Sequence, residues 1–164
     1  MLRFPCFLLA LAMLAFSASV RAVEDTPLAV AAAQYLQLIR DSRSGVSQTP
    51  DALLQQAGQQ AGRKEWLAAI ASQESAIAAG ADSVRVWLDL SQFWQTQGEQ
   101  KQQDSEARTR AQERTRQAAW NAYQAARIPF ERARVLVRLG ELYDRAKEGK
   151  QALAAFGEGL ELED

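Results

Sequence analysis

Apolar residues recur at helical spacing along nearly the whole chain. Ala32, Tyr35, Leu36 and Ile39 fall at i, i+3, i+4 and i+7 and predict a helix over residues 28–40. Pro27 suits its first turn, with Thr26 as its cap. Residues 41–50, rich in Ser, Gly and Thr and ending in Pro50, predict a loop. Leu53, Leu54, Ala57 and Ala61 give a short helix over 51–62 its apolar side. Trp66, Ala69, Ile70, Gln73, Ala76 and Ile77 predict the next over 64–79, ended by Gly80. Asp82-Ser83 then caps a helix carrying Trp87, Leu90, Ser91 and Trp94 and closing near Gly98. A thin stripe of Ala107, Ala111, Ala118, Ala122 and Ala126, with Tyr123 and Trp120, predicts one long helix over about 102–127. Trp120 has two readings, as a member of that stripe or as a ring off it that lines a ligand groove. Asp104 with Arg108 and Glu106 with Arg110 would support this helix as i,i+4 pairs, and Pro129 would terminate it. Residues 130–146 and 150–162 form a last helix pair.

Two stretches share an order of residue types. One is Leu139-Gly140, Tyr143, Ala152, Phe156; the other is Trp87, Leu90, Ser91, Trp94. Ser91 stands for glycine where helices touch, and Trp94 for the aromatic ring one turn on. With Ala69 and Ala76 as small residues of one second helix, Trp87 falls at the next unit's aromatic position with a period of about 34 residues. The step from Leu90 to Leu139 exceeds that period by about 15 residues, which belong between Glu99 and Ile128. This order and spacing resembles tetratricopeptide (TPR) repeats. The resemblance implies an all-α fold: an antiparallel helix-pair solenoid of about three units with one elongated central helix. Its core anchors would be Trp66, Ala69, Trp87, Leu90, Trp94, Leu139, Gly140, Tyr143, Ala152 and Phe156. The sequence stops at Asp164, where another repeat usually begins, leaving nothing for a closing cap helix. The expectation is a chain that continues, or an outer face that docks.

Composition sharpens this. Apolar residues make up 48% of the chain, but many are alanine, so the core must come from close helix packing around a few large anchors among the four Trp, three Tyr and six Phe. The start differs from the rest. Met1-Leu2-Arg3, an apolar run over 7–16 and Val20-Arg21-Ala22 have the form of a signal peptide cleaved after Ala22. The run is too short to span a bilayer, so no stable membrane span is expected after cleavage. The expected organisation is a signal peptide (1–22), an N-terminal helix and loop (23–50) and a helical repeat domain (51–164), in a periplasmic or secreted protein. Cys6 precedes the apolar run, does not resemble a lipid-attachment site and would leave with the signal. Without Arg3 and Arg21 the chain keeps 17 of its 19 basic residues against 20 acidic ones, a mildly acidic balance with no global pull towards nucleic acid.

Candidate chemistry is sparse. No histidine occurs, which removes the commonest general base and metal ligand and every Ser-His-Asp arrangement. Gly157-Glu158-Gly159 is a G-x-G within a helical pattern and reads as small residues at a helix crossing. Asp and Glu are dispersed among Lys and Arg, so no acid–base pair is marked. Arg108, Arg110, Arg114, Arg116, Arg127, Arg132, Arg134 and Arg138 are interrupted by Glu106, Glu113 and Glu131 and read as a solvated face. No catalytic, cofactor or metal residue is assigned, and the chain is not expected to be an enzyme.

A narrower likeness lies in Arg116-Gln-Ala-Ala-Trp-Asn-Ala-Tyr-Gln-Ala-Ala-Arg-Ile-Pro-Phe-Glu-Arg-Ala-Arg and the repeat after it. This resembles the helical N-terminal segment of bacterial alpha-2-macroglobulin family proteins, exported protease traps whose activity and thioester lie in later domains. The resemblance implies a helical N-terminal module without the inhibitory domains. The expected function is a non-catalytic exported helical-repeat module for protein–protein interaction, contacting its partner through Gln92, Gln95, Arg138 and Asp144 on first helices. The alternative is a structural module, or truncated protein, whose open C-terminal face packs on a following domain. Expected partners are thus a protein or a covalently following domain, with no nucleic acid, metal or cofactor.

Overall fold

The structure, a computed structural model, describes residues 27–43 and 45–162. The signal segment, its cleavage position and the Thr26 cap lie outside the described residues. Seven helices make up the described chain: α1 (Pro27–Ser42), α2 (Pro50–Gly62), α3 (Trp66–Ala78), α4 (Val84–Gly98), α5 (Ser105–Ala125), α6 (Pro129–Arg145) and α7 (Gly149–Glu161). No strand occurs among the described residues, and the fold is all-α.

Short connections make α2–α3, α4–α5 and α6–α7 packed helix pairs. The first and last pairs share one turn. Lys64 and Lys147 both sit in the left-handed region, at φ 63° and 62°. Behind Lys64, the Glu65 N–H donates to the Gln60 carbonyl at 2.9 Å, and the Glu148 N–H donates to the Tyr143 carbonyl at the same distance. This six-to-one closure is the Schellman arrangement, which satisfies carbonyls that a helix end would otherwise leave bare. The turn sets the register of both pairs: Leu53 corresponds to Leu136, Ala57 to Gly140 and Ala69 to Ala152, all buried. Lysine is not the residue that this conformation favours. Lys64→Gly is therefore expected to raise unfolding free energy by roughly 0.5–1 kcal/mol in urea titration.

Helix starts follow local chemistry. Thr49, Ser83 and Asp104 accept the N–H of Ala52, Val86 and Ala107 through their side chains. This revises two expectations about α5. Asp104 caps the helix instead of pairing with Arg108, whose guanidinium donates to the Gln103 carbonyl. The helix begins at Ser105, not 102, because that cap fixes its start. It also ends at Ala125, before Pro129: Ala126 is extended at ψ 123°, and Pro129 opens α6 at its first turn. The Glu106–Arg110 pair forms, at 2.7 Å.

Trp87, Tyr35, Ile39, Leu90, Leu139 and Val135 are almost fully enclosed. Alanines 32, 57, 69, 118, 119, 122 and 133 are also enclosed and let helix axes approach closely. Trp120 belongs to this core, 4% exposed, as a member of the stripe and not a ring off it. It is enclosed because α5 packs against both α1 and α6, and its ring lies 5.3 Å from that of Tyr123, one turn on along the same helix. Of the expected anchors, Ala69, Trp87, Leu90, Leu139, Gly140 and Ala152 are buried, and Trp66, Trp94, Tyr143 and Phe156 are half-buried.

Helix α1 lies against α3 and α5. The Tyr35 hydroxyl donates to Glu74 Oε1 and accepts from Trp94 Nε1, both at 2.7 Å, and the Arg114 guanidinium sits 4.2 Å from the Tyr35 ring centre. Burial pushes the Tyr35 phenol well above its ordinary value of 10.0, and Glu74 adds to the rise. Burial, then Glu148, also raises Tyr143. The folded state thus keeps these phenols protonated where the unfolded chain begins to release them. Stability is fully present below about pH 10 and falls as pH rises from there towards the folded-state values. A thermal melting series above about pH 9 is expected to show a falling Tm, with a shallower fall in Tyr35→Phe.

Candidate functional site

First helices α4 and α6 run in the same direction with a groove between them. Gln92 and Gln95 project from α4, one turn apart, and Arg138 reaches across from α6. Its guanidinium donates to Gln95 Oε1 and, at 3.5 Å, to Gln92 Oε1. It also meets Glu141 at 3.4 Å. The Arg138 side chain is only 18% exposed, so this bridge is held, not waving in solvent. Three of the four sequence-predicted contact residues therefore come together. Asp144 does not join them: it is exposed near the end of α6.

The bridge separates two hollows. The one beside the N-terminal halves of α4 and α6 has a volume of about 740 Å³. Its apolar wall is Val84, Leu88 and Val137, and Val137 is 43% exposed. Its charges balance, with Arg85, Arg134 and Arg138 against Asp89, Glu131 and Glu141. Burial pushes the Asp89 carboxyl above its ordinary value, with Arg85 opposing from 3.8 Å.

The second hollow, about 810 Å³, lies where α4 and α6 end and α5 begins. Trp94, Gly98 and Leu142 form part of its wall. Ser91 and Gly98 bring α5 close beneath it. The Ser91 hydroxyl donates to the Thr115 carbonyl at 2.9 Å, and a Cβ on Gly98 would meet Ala111 Cβ at 2.9 Å. Lys101, Arg108, Arg116, Arg145 and Lys147 face this hollow against only Glu99 and Glu148. Both carboxylates are paired, Glu99 with Arg145 at 3.6 Å and Glu148 with Arg116 at 2.7 Å.

Sequence reasoning missed Lys101 and Lys147, which sit in turns, and the apolar trio Val84, Leu88 and Val137. The repeated Lys-Glu at 64–65 and 147–148 was the available signal for the shared turn. Nothing in the spacing placed Lys101 beside it. The arrangement offers ion pairs, amide hydrogen bonds and apolar contact, which is the chemistry of recognition. Among the described residues no group of three or more His, Cys, Asp or Glu side chains gathers as a metal site, and no helix is long and apolar enough to cross a membrane.

No protein-family model matches the chain, and no curated protein or solved structure shows significant similarity to it.

Proposed function

We propose that this chain is a non-catalytic, exported helical-repeat module that binds a protein partner along the α4–α6 groove. The observation that carries the reading is the groove itself: two hollows on either side of the Arg138–Gln92–Gln95 bridge, open to solvent and left uncovered by any described helix. Stacked helix pairs create such surfaces because each pair turns slightly on the last. The three pairs, and the turn shared by the first and last, support a TPR-like solenoid of about three units, with α5 its elongated helix. The likeness of residues 116–134 to the N-terminal segment of bacterial alpha-2-macroglobulins, and the signal-like start, support an envelope location.

A second reading rests on α7. Leu153 and Leu160 are 75% and 67% exposed and lie two turns apart on that helix. Such residues suit a face that packs on a following domain. One experiment separates the two. Immobilised chain is expected to retain a protein from envelope extract at modest salt. The pair Leu88→Glu and Val137→Glu is expected to abolish retention, while Leu153→Glu with Leu160→Glu leaves it intact. Loss with the α7 pair alone supports the second reading, and no retained protein at modest salt contradicts the first.

A further inference from the structure

We infer that the groove recognises a segment of its partner that is acidic at one end and apolar at the other, its carboxylates seated in the hollow between Lys101, Arg108 and Lys147. The inference rests on the α4–α6 groove being the partner surface.

The charge of this hollow is not inherited from the chain, whose net charge is −1. Five cations face two carboxylates, and both carboxylates are already engaged by Arg145 and Arg116. That leaves Lys101 and Lys147, both exposed, and Arg108, whose contact is a carbonyl at 3.4 Å. Cations commonly complement the negative end of a helix, which accounts for Arg145 in the last turn of α6. It does not account for Arg108. That residue stands in the first turn of α5, where the helix dipole disfavours positive charge. A bound anion compensates for that placement.

The other hollow differs in kind. Its charges cancel, and Val84, Leu88 and Val137 offer apolar contact. Along α4 the two hollows span residues 84–99, roughly 22 Å at the helical rise. An extended peptide covers that length with about seven residues. The Gln92 and Gln95 amides and Arg138 lie midway; they are bonded to one another and to Thr96 and Glu99, and a peptide backbone would exchange for some of these contacts. Nucleic acid fits less well: a phosphate chain needs a continuous basic track, and half of this groove is neutral.

The test is selection of a randomised heptapeptide display library on the immobilised chain. Recovered sequences are expected to cluster Asp and Glu at one end and Leu, Ile, Val or Phe towards the other, several-fold above the input. The best synthetic peptide is expected to bind the Lys101→Glu, Lys147→Glu double variant about tenfold more weakly, and to weaken as salt is raised. Arg108→Gln, a milder change, is expected to weaken it as well, and circular dichroism checks that each variant is helical. The inference is overturned if acidic clustering is absent, if it persists unchanged on the double variant, or if a single-stranded oligonucleotide of equal charge binds more tightly than the peptide. Absent clustering, with partner capture still lost in the Leu88 and Val137 variants, sinks the acidic-segment inference and leaves the groove as the partner surface.

Discussion

Tyr35→Ala is expected to lower unfolding free energy by about 4 kcal/mol or more, measured by urea titration. Two costs combine. Removing a ring that is 1% exposed leaves a large cavity between α1, α3 and α5. Removing its hydroxyl leaves Trp94 Nε1 and Glu74 Oε1 without the partner each holds at 2.7 Å. Arg114 loses the ring beneath its guanidinium as well. In a chain of this size such a loss is a large part of total stability, expected to be about 5–15 kcal/mol. Tyr35→Phe separates the terms: it keeps the ring and loses the hydrogen bonds, and is expected to cost about 1–3 kcal/mol. A small effect of Tyr35→Ala would show that α1 adds little to the fold.

Gly140→Ala is expected to destabilise by about 1–2 kcal/mol, although alanine is the better helix former by about 1 kcal/mol. The reason is steric. A Cβ at this position would meet the Phe156 ring at 2.5–2.7 Å, so the ring must leave its place between α6 and α7. The decisive comparison is the same substitution in a Phe156→Ala background. There the obstruction is gone, propensity is what remains, and Gly140→Ala is expected to stabilise by roughly 0.5–1 kcal/mol. A cost that stays equal in both backgrounds would place the strain elsewhere.

This pair also shows what a linear sequence can carry. Gly140 and Phe156 are anchors that the repeat resemblance implies, and they touch because one short turn folds α7 back on α6. The helices themselves were legible for the same local reason: each has an apolar stripe at its own period, a cap such as Ser83 or a breaker such as Gly80. The ends of α5 were less so. Asp104 has two uses in a sequence, as cap or as ion-pair partner, and only the path of the preceding turn decides between them. Trp120 kept two readings in the sequence because its burial depends on α1, which is distant in sequence and covers α5 through contacts such as Asn121 Nδ2 to the Ala32 carbonyl at 3.1 Å.

The groove was partly legible. Gln92, Gln95 and Arg138 could be placed on first helices, and the helix pairs bring them together. Asp144 shares the helix of Arg138 but lies beyond the bridge. The two hollows are assembled from side chains that are remote in sequence. Their charge is a property of the assembly. Arg108 illustrates this: in the sequence it is one of eight interspersed arginines, and in the fold it stands with two lysines at one end of a groove.

The most direct measurement is site-specific photo-crosslinking in cells, with a photoreactive residue placed at Leu88, Gln92 or Gln95 in the groove and at Gln55 or Gln59 on exposed α2 positions as controls. The expected result is one common protein adduct from the three groove positions and none from α2. Adducts from α2 alone, or from no position, would contradict the assignment of the α4–α6 groove as the partner-binding surface.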